Sequence, residues 1–446
     1  MHSGFLLAQC PPTGYSAPDS VCIGQPFQVT NTSAPGNSYF WDLCPGDMNN
    51  TPVGNNLGGL GGLLMPAQSR IIKDNGKYFQ LIADVNANAI RRYDYGNSLD
   101  NTPLVFDYGN IGGLLSQPSG LDVVKENGVW YALVANNGTD HLVRVDLGSS
   151  IEANIFSATD LGTWGSVDAL NLKIGRDAAG YYAFVSSVQF SRVDFGNSIT
   201  NAPSGSAAVV VPGASGLTWG FDIAYDCNLS KFIGFLADYN AGKVFKLDFG
   251  NSLAAAPSLA GNIITGGAPS GLGLVRDGLD YNLVVGMGFL STMEVYQIGS
   301  DLLASPTMTF QNNIGGMTYP QSFMVYSDSS RIYAYSSNAF PATISRISWP
   351  EICGLSPAYS EDPASVNVNP VAGGHHPITL TSYDNSGIPG FYADSIFVNA
   401  IPTSLFYTGN TCEGQPIQFI DSSTISVGSI ASWTWDFGDG SLPVQQ

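Results

Sequence analysis

Histidines and carboxylates are the side chains from which a hydrolase or lyase would build a metal centre. This chain is poor in the first and rich in the second. Its four histidines are His2, His141, His375 and His376. Only His141 lies in the long central region, while His375-His376 follows Gly373-Gly374 and reads as a surface loop. Converging imidazoles with an open coordination position are therefore not expected. Carboxylates alone leave calcium as the metal this chain could hold, with Asp84, Asp122, Asp222 and Asp238 to supply the oxygens. The plainer expectation is that these repeated aspartates accept bonds from nearby backbone N–H groups. No cofactor other than calcium is expected. Gly271-Leu272-Gly273 lacks the remaining spacing of a dinucleotide loop, and neither a P-loop nor a serine elbow is present. Paired glycosidase carboxylates drawn from distant segments would leave no local signal.

Composition narrows the classes further. Among 446 residues, 35 are Asp or Glu and 16 are Lys or Arg, a formal charge of −19. Such a surface repels phosphate backbones, so no nucleic-acid partner is expected. No apolar run approaches the ~18–20 residues of a membrane span. Glycine at 52, tyrosine at 21 and phenylalanine at 23 suit an all-β chain with many tight turns. Residues 1–12 read as a leader, with Phe5-Leu6-Leu7-Ala8-Gln9 as the end of an apolar signal region. Cys10 as a lipidated cysteine is the weaker reading of the same stretch. The six cysteines form no CxxC pair, and in a secreted chain their wide spacing allows one or two disulfides.

The elements that must position these residues are announced by a repeat. Arg92-Tyr93-Asp94-Tyr95-Gly96-Asn97-Ser98-Leu99 returns as Arg144 to Ile151, Arg192 to Ile199 and Lys246 to Leu253. Weaker copies run from Val295 to Gly299 and from Ser345 to Pro350. Aligned positions 96, 148, 196, 250, 299 and 350 recur about every 50 residues, the length of a four-stranded propeller blade. In the second unit the strands read as 120–124, 130–134 and 141–146, with an outer strand around 154–156. The segment from Thr51 resembles the outer-strand segment from Thr102 but precedes the first inner strand. It is expected to complete the last unit, so that six blades span residues 51–350 and no sheet edge is left open. Loops between second and third strands (84–89, 136–141, 186–190, 238–242, 286–292 and 337–342) would share one face. Asp84, Asn86, Asn137, His141, Asp238 and Asn240 are the candidates there for a glycan or protein ligand.

Two resemblances follow. Ala83 to Tyr93, and Ala237 to Asn240 with Val244 to Leu247, resemble the repeat signature of NHL propellers, as do the blade openings Pro118-Ser119-Gly120-Leu121 and Pro269-Ser270-Gly271-Leu272. The third, fifth and sixth units depart from it. Trp433-Thr434-Trp435-Asp436-Phe437-Gly438-Asp439-Gly440 resembles the hallmark of the PKD domain, an immunoglobulin-like β-sandwich. Tyr39 to Asp47 and Cys22 to Val29 parallel that module's first half, and Pro377 to Asp384 with Ser395 to Asn399 look like closing strands. These resemblances imply an all-β chain, a six-bladed β-propeller inserted into a PKD β-sandwich and followed by a second, incomplete one. The boundaries would be 1–12 leader, 13–50 and 351–401 the two halves of the first PKD-like domain, 51–350 propeller, and 402–446 the second. Cys44 and Cys353 flank the neck of that insertion and are the preferred disulfide pair. The combination resembles large bacterial surface proteins exported by the type IX route. It implies an extracellular adhesion or recognition protein, with the propeller as binding head and the PKD modules as spacers, and the scarcity of histidines and catalytic motifs makes the expectation a non-enzymatic one. A carbohydrate-active or lactonase-like propeller enzyme is the alternative, and a segment of a surface filament the third.

Overall fold

The computed structural model describes residues 10–33, 38–153, 156–163, 168–327, 331–350, 353–384, 388–409 and 412–445. Among these the chain is all-β, with three single-turn 3-10 segments as its only helical elements. It divides into two compact units.

The larger unit holds residues 46–350, joined by Cys10, Pro11 and residues near 383–390. It contains six four-stranded antiparallel sheets. Their inner strands are Pro66–Asp74, Pro118–Glu126, Asn171–Arg176, Thr218–Asp226, Pro269–Asp277 and Pro320–Ser327. Each is the neighbour of the next, and the sixth returns to the first, which is the closed ring of a β-propeller. Second strands such as Tyr181–Ser186 are buried along their whole length. A blade packed on both faces needs apolar residues on both, so this strand reads as a near-continuous apolar run instead of alternating. Inner hairpins close at Asn75-Gly76 and Asn127-Gly128, where both residues take positive φ (50° and 75°; 50° and 82°). Asn-Gly tolerates that conformation, and its twist matches that of the strands it joins.

The repeated phrase is a blade-to-blade clamp. Arg92 donates to the carbonyl of Ile151 (2.6 Å), Arg144 to Thr200 (2.6 Å), Arg192 to Ala254 (2.6 Å) and Lys246 to Leu302 (3.0 Å), each in the turn of the following blade. Arg346 closes the circle by donating to Asn101 of the first blade at 3.1 Å. An aspartate at the end of the inner strand binds the same turns from the other side. Asp74 accepts from the N–H of Ile151, Asp177 from Leu253 and Asp226 from Leu302, at 3.1, 2.8 and 2.8 Å. In the fifth blade Asp277 instead accepts from Met48 at 2.8 Å. The turn of the sixth blade is thus supplied by residues near 46–49, and its outer strand, Val53–Gly58, pairs with Thr343–Trp349. Val295 stands at the position of the clamp cation in the fifth blade.

The compact unit that holds the six sheets also takes in the turn from Gly46, which Asp277 seats. Ile388 belongs to the core around Phe221 and Phe249, and Cys10 is disulfide-bonded to Cys227. The second blade's outer strand is Ser157–Thr163, later than the expected 154–156, because the turn Ile151–Ala153 comes first. Of that expected segment, Asn154 and Ile155 lie outside the described residues, as do residues 1–9 of the leader.

The second unit has two sheets around one core of Val29, Trp41, Val368, Ile378, Leu380, Ile396 and Val398. Strands from both sides of the propeller segment interleave. Phe27–Asn31 pairs antiparallel with Ser365–Pro370, and Ser20–Cys22 runs parallel to Phe397-Val398-Asn399. The indole of Trp41 donates to the Asp362 carbonyl at 2.9 Å, so its buried N–H is satisfied. Cys44 and Cys353 form a disulfide with Cα atoms 5.3 Å apart, and Cys22 and Cys412 are free and exposed. In the last stretch, Phe406–Thr408 pairs with Phe419–Asp421 and Thr434–Trp435 with Val444–Gln445, around the rings of Phe406, Phe419, Trp435 and Phe437.

Candidate functional site

Inner and second strands are antiparallel, so the first residue of one pairs with the last of the other: Pro66 with Asp84, Pro118 with Asn136, Pro320 with Asn338. The turn after the second strand and the segment entering the inner strand therefore lie at the same end of every blade. We call this end the loop face.

The last residue of the second strand ties these two loops together. Asp84 accepts from the N–H groups of Leu64 and Met65 at 3.1 and 2.9 Å and pairs with Arg91 at 3.1 Å. Asn136 accepts from Ser116 at 3.0 Å, and Asp238 from Ala241 at 2.9 Å and from Ser215. Asp84 and Asp238 are fully buried by these bonds. Asn137 donates to the Ala169 carbonyl at 3.1 Å. His141 pairs with Asp160 at 2.8 Å, and the N–H of Gly162, then His141, hold that carboxyl below its ordinary range. Of the six candidates, Asn86 and Asn240 stand exposed at the tips of their turns.

A second tie joins neighbouring blades. The side chain of a turn residue with positive φ accepts from a residue in the segment entering the next inner strand. Asn88 holds the N–H of Gln117 (2.7 Å), Asp140 that of Asp168 (3.0 Å), and Ser291 that of Tyr319 (3.0 Å). All six of these residues have φ between 46° and 57°. Gln117 and Asp168 present their side chains to solvent, and Tyr319 is their counterpart in the sixth blade.

Around Tyr319 the loop face becomes aromatic. Its ring lies 5.6 Å from Phe289 and 6.2 Å from Phe340, and its hydroxyl is 3.0 Å from that of Tyr239. Tyr239 in turn lies 5.4 Å from Phe289 and 4.8 Å from Trp219. Phe289 is 71% exposed and Phe340 66%, unusual for phenylalanine. Burial and the Tyr319 hydroxyl push the Tyr239 phenol well above its ordinary value, so it stays protonated. Counted from the end of the second strand, Asn86, Asn240, Phe289 and Phe340 occupy the same turn position. The sequence pointed to that position through Asn86 and Asn240 of the first and fourth blades, and the fifth and sixth blades carry phenylalanine there. The signal available was the loss of the asparagine in the fifth and sixth units. Trp219 and Tyr319 come from inner-strand entries, which spacing alone does not place beside those turns.

The axis of the ring is occupied by side chains. Arg70, Asp122, Lys173 and Asp222 stand at matching positions of four consecutive inner strands and pair at 2.6 Å (Arg70–Asp122) and 2.8 Å (Lys173–Asp222). Asp122 also accepts from Ile174 at 2.7 Å and Asp222 from Leu274 at 2.9 Å. Burial works against charge on Asp222, but Lys173, the Leu274 N–H and Arg70 outweigh it and hold the carboxyl below its usual range. Gln68 reaches from the first blade to the third, accepting from Leu121 and Leu172 at 2.8 and 2.7 Å. Among the described residues no group of three or more His, Cys, Asp or Glu is placed to hold a metal ion.

No family model and no curated protein matches the chain. Among solved structures it is similar to BBS1N in complex with ARL6DN (11% identity, TM-score 0.39, covering 81% of this chain and 98% of that one). It is also similar to a thermostable family-43 glycoside hydrolase (11% identity, TM-score 0.37, covering 77% and 95%). A third is a putative 6-phosphogluconolactonase from Bacteroides uniformis ATCC 8492 (12% identity, TM-score 0.39, covering 56% and 71%). These are likenesses in chain path and carry no activity across.

Proposed function

We propose that this chain is an extracellular recognition protein whose propeller binds a glycan over the aromatic cluster of the loop face. The observation that carries this reading is the cluster itself. Trp219, Tyr239, Phe289, Tyr319 and Phe340 come from three consecutive blades, and two of the rings stand more than half exposed. Large apolar rings held open to water on a face built of loops mark a ligand site. The C–H faces of a pyranose suit such rings, while tyrosine hydroxyls meet the sugar's own. In this reading the two-sheet unit and the residues around Trp433–Gly440 act as PKD-like spacers of a surface adhesin, consistent with export by the type IX route. Two disulfides support an oxidising, extracellular setting. Pairing of Asp122 and Asp222 with cations at the axis favours recognition over turnover there. A glycan array read with the purified chain tests the proposal. Retention of defined oligosaccharides without product formation is the expected result. Cleavage of the retained glycan would replace recognition by carbohydrate turnover, and a blank array with capture of a protein ligand would overturn the glycan reading.

A further inference from the structure

We infer that Phe289, Tyr319 and Phe340 form a clamp for a single uncharged sugar ring of a soluble oligosaccharide, with the Tyr239–Tyr319 hydroxyl pair as its hydrogen-bonding floor. This rests on the glycan reading above and specifies its site and ligand class.

Tyr319 contacts both phenylalanines, at 5.6 and 6.2 Å, yet among the described residues Phe289 and Phe340 make no ring contact with each other. Tyr319 thus links the two exposed rings, one on the fifth-blade turn and one on the sixth. Their planes are inclined to that of Tyr319 by 75° and 54°. A crystalline polysaccharide presents a flat face and requires coplanar rings to lie on. Inclined walls about a half-buried floor instead accept one ring between them.

The floor is held in place. The Tyr319 N–H is bound by Ser291 at 3.0 Å, its hydroxyl by Tyr239 at 3.0 Å, and its backbone sits at φ 46° against Pro320. A bulky residue in that region costs about 1–2 kcal/mol, so surrounding contacts must hold it there. One hydrogen of the two phenols is used between them. The pair still offers a donor and free lone pairs, the complement of a sugar hydroxyl. None of the clamp residues is charged, and the chain's net charge of −19 opposes an anionic glycan.

The test is titration of the whole chain with soluble neutral oligosaccharides and with sialylated or uronate-bearing ones, beside a pull-down on crystalline cellulose and chitin. Phe289→Ala, Phe340→Ala and Phe340→Leu are carried through the same series, with thermal unfolding as the check on folding. Neutral soluble glycans should bind the wild type. Each variant should lose about tenfold in affinity, roughly one ring-stacking contact, at unchanged Tm. Phe340→Leu separates loss of the ring from loss of apolar bulk. If the wild type binds glycans but both phenylalanine positions are indifferent, the clamp is wrong and the glycan reading survives. Binding confined to acidic or crystalline glycans has the same consequence. A wild type that retains no glycan removes the reading on which the clamp rests.

Discussion

The phenolic oxygens of Tyr239 and Tyr319 lie 3.0 Å apart, although 80 positions separate them in the chain. The bond spans the fifth blade, whose own turn passes between at Gly288-Phe289. A Cβ at Gly288 would stand 3.1 Å from a ring carbon of Tyr239 and 3.4 Å from Ser270, so glycine lets the tyrosine lie against the turn.

Removing either hydroxyl should therefore cost the same bond. Tyr239→Phe and Tyr319→Phe are each expected to lose about 0.5–1.5 kcal/mol of stability, and the double variant little more than one single. Equilibrium urea unfolding of the three variants checks this. Strict additivity would mean the two phenols act separately.

The ion pairs at the axis make stability depend on acid. Asp222 is held below its ordinary value, so its contribution is present above the unfolded carboxylate value of about 3.9 and is lost as pH falls through the lower folded one. Lys173→Met should destabilise by about 2–3 kcal/mol at neutral pH, since both side chains keep some exposure, and should flatten the decline below about pH 4. Unfolding midpoints at descending pH measure both effects.

Asp277 carries the opposite sign. Burial raises its carboxyl against the N–H groups of Gly46, Met48 and Asp47. The raised value makes the wild type gain stability from this group as pH falls from neutral through the folded value, levelling below the unfolded one. Asp277→Asn should abolish that gain, seen as a less favourable change in unfolding midpoint from pH 7 to pH 4 in the variant than in the wild type.

Ring closure should depend on Arg346, which reaches the first blade at Leu99 and Asn101. Arg346→Met is expected to lose about 2–3 kcal/mol, similar to Arg144→Met at the equivalent clamp between the second and third blades. Hydrogen exchange should then show early opening of Val53–Gly58 against Thr343–Trp349 in the Arg346 variant. Equal protection of that ladder in both variants would contradict a closing role.

Proteolysis can read the disulfides directly. No Lys or Arg occurs before Arg70, between Arg192 and Lys231, or after Arg346. Trypsin acting on the denatured, unreduced chain should release peptides 1–70, 193–231 and 347–446 as one cross-linked species, through Cys10–Cys227 and Cys44–Cys353. Mass spectrometry before and after reduction decides it. A free 193–231 peptide without reduction would disprove the first bridge.

Much of the architecture is written in local signals. Asn75-Gly76 and Asn127-Gly128 mark hairpins, and the repeated phrase from Arg92, with its weaker copies, counts the four-stranded sheets, because turns and short strands answer to their immediate residues. The same phrase does not say what its arginine touches. Arg144 reaches Thr200, a partner in the next repeat, and only the stacking of blades brings that carbonyl within reach.

The sequence by itself determined an all-β chain of repeated four-stranded units, an acidic surface and a set of turns sharing one face. Side-chain partners across blades were decided by tertiary structure. It buried Asp84 and Asp238 in bonds to their own loops, neutralised Asp122 and Asp222 with Arg70 and Lys173, and bonded Cys10 to Cys227. It also gathered Trp219, Tyr239, Phe289, Tyr319 and Phe340 into one cluster. The physical reason is that a repeat of about 50 residues places equivalent positions around a ring without stating which neighbours touch. Contact there depends on strand twist, blade packing and closure, which no local stretch of chain encodes.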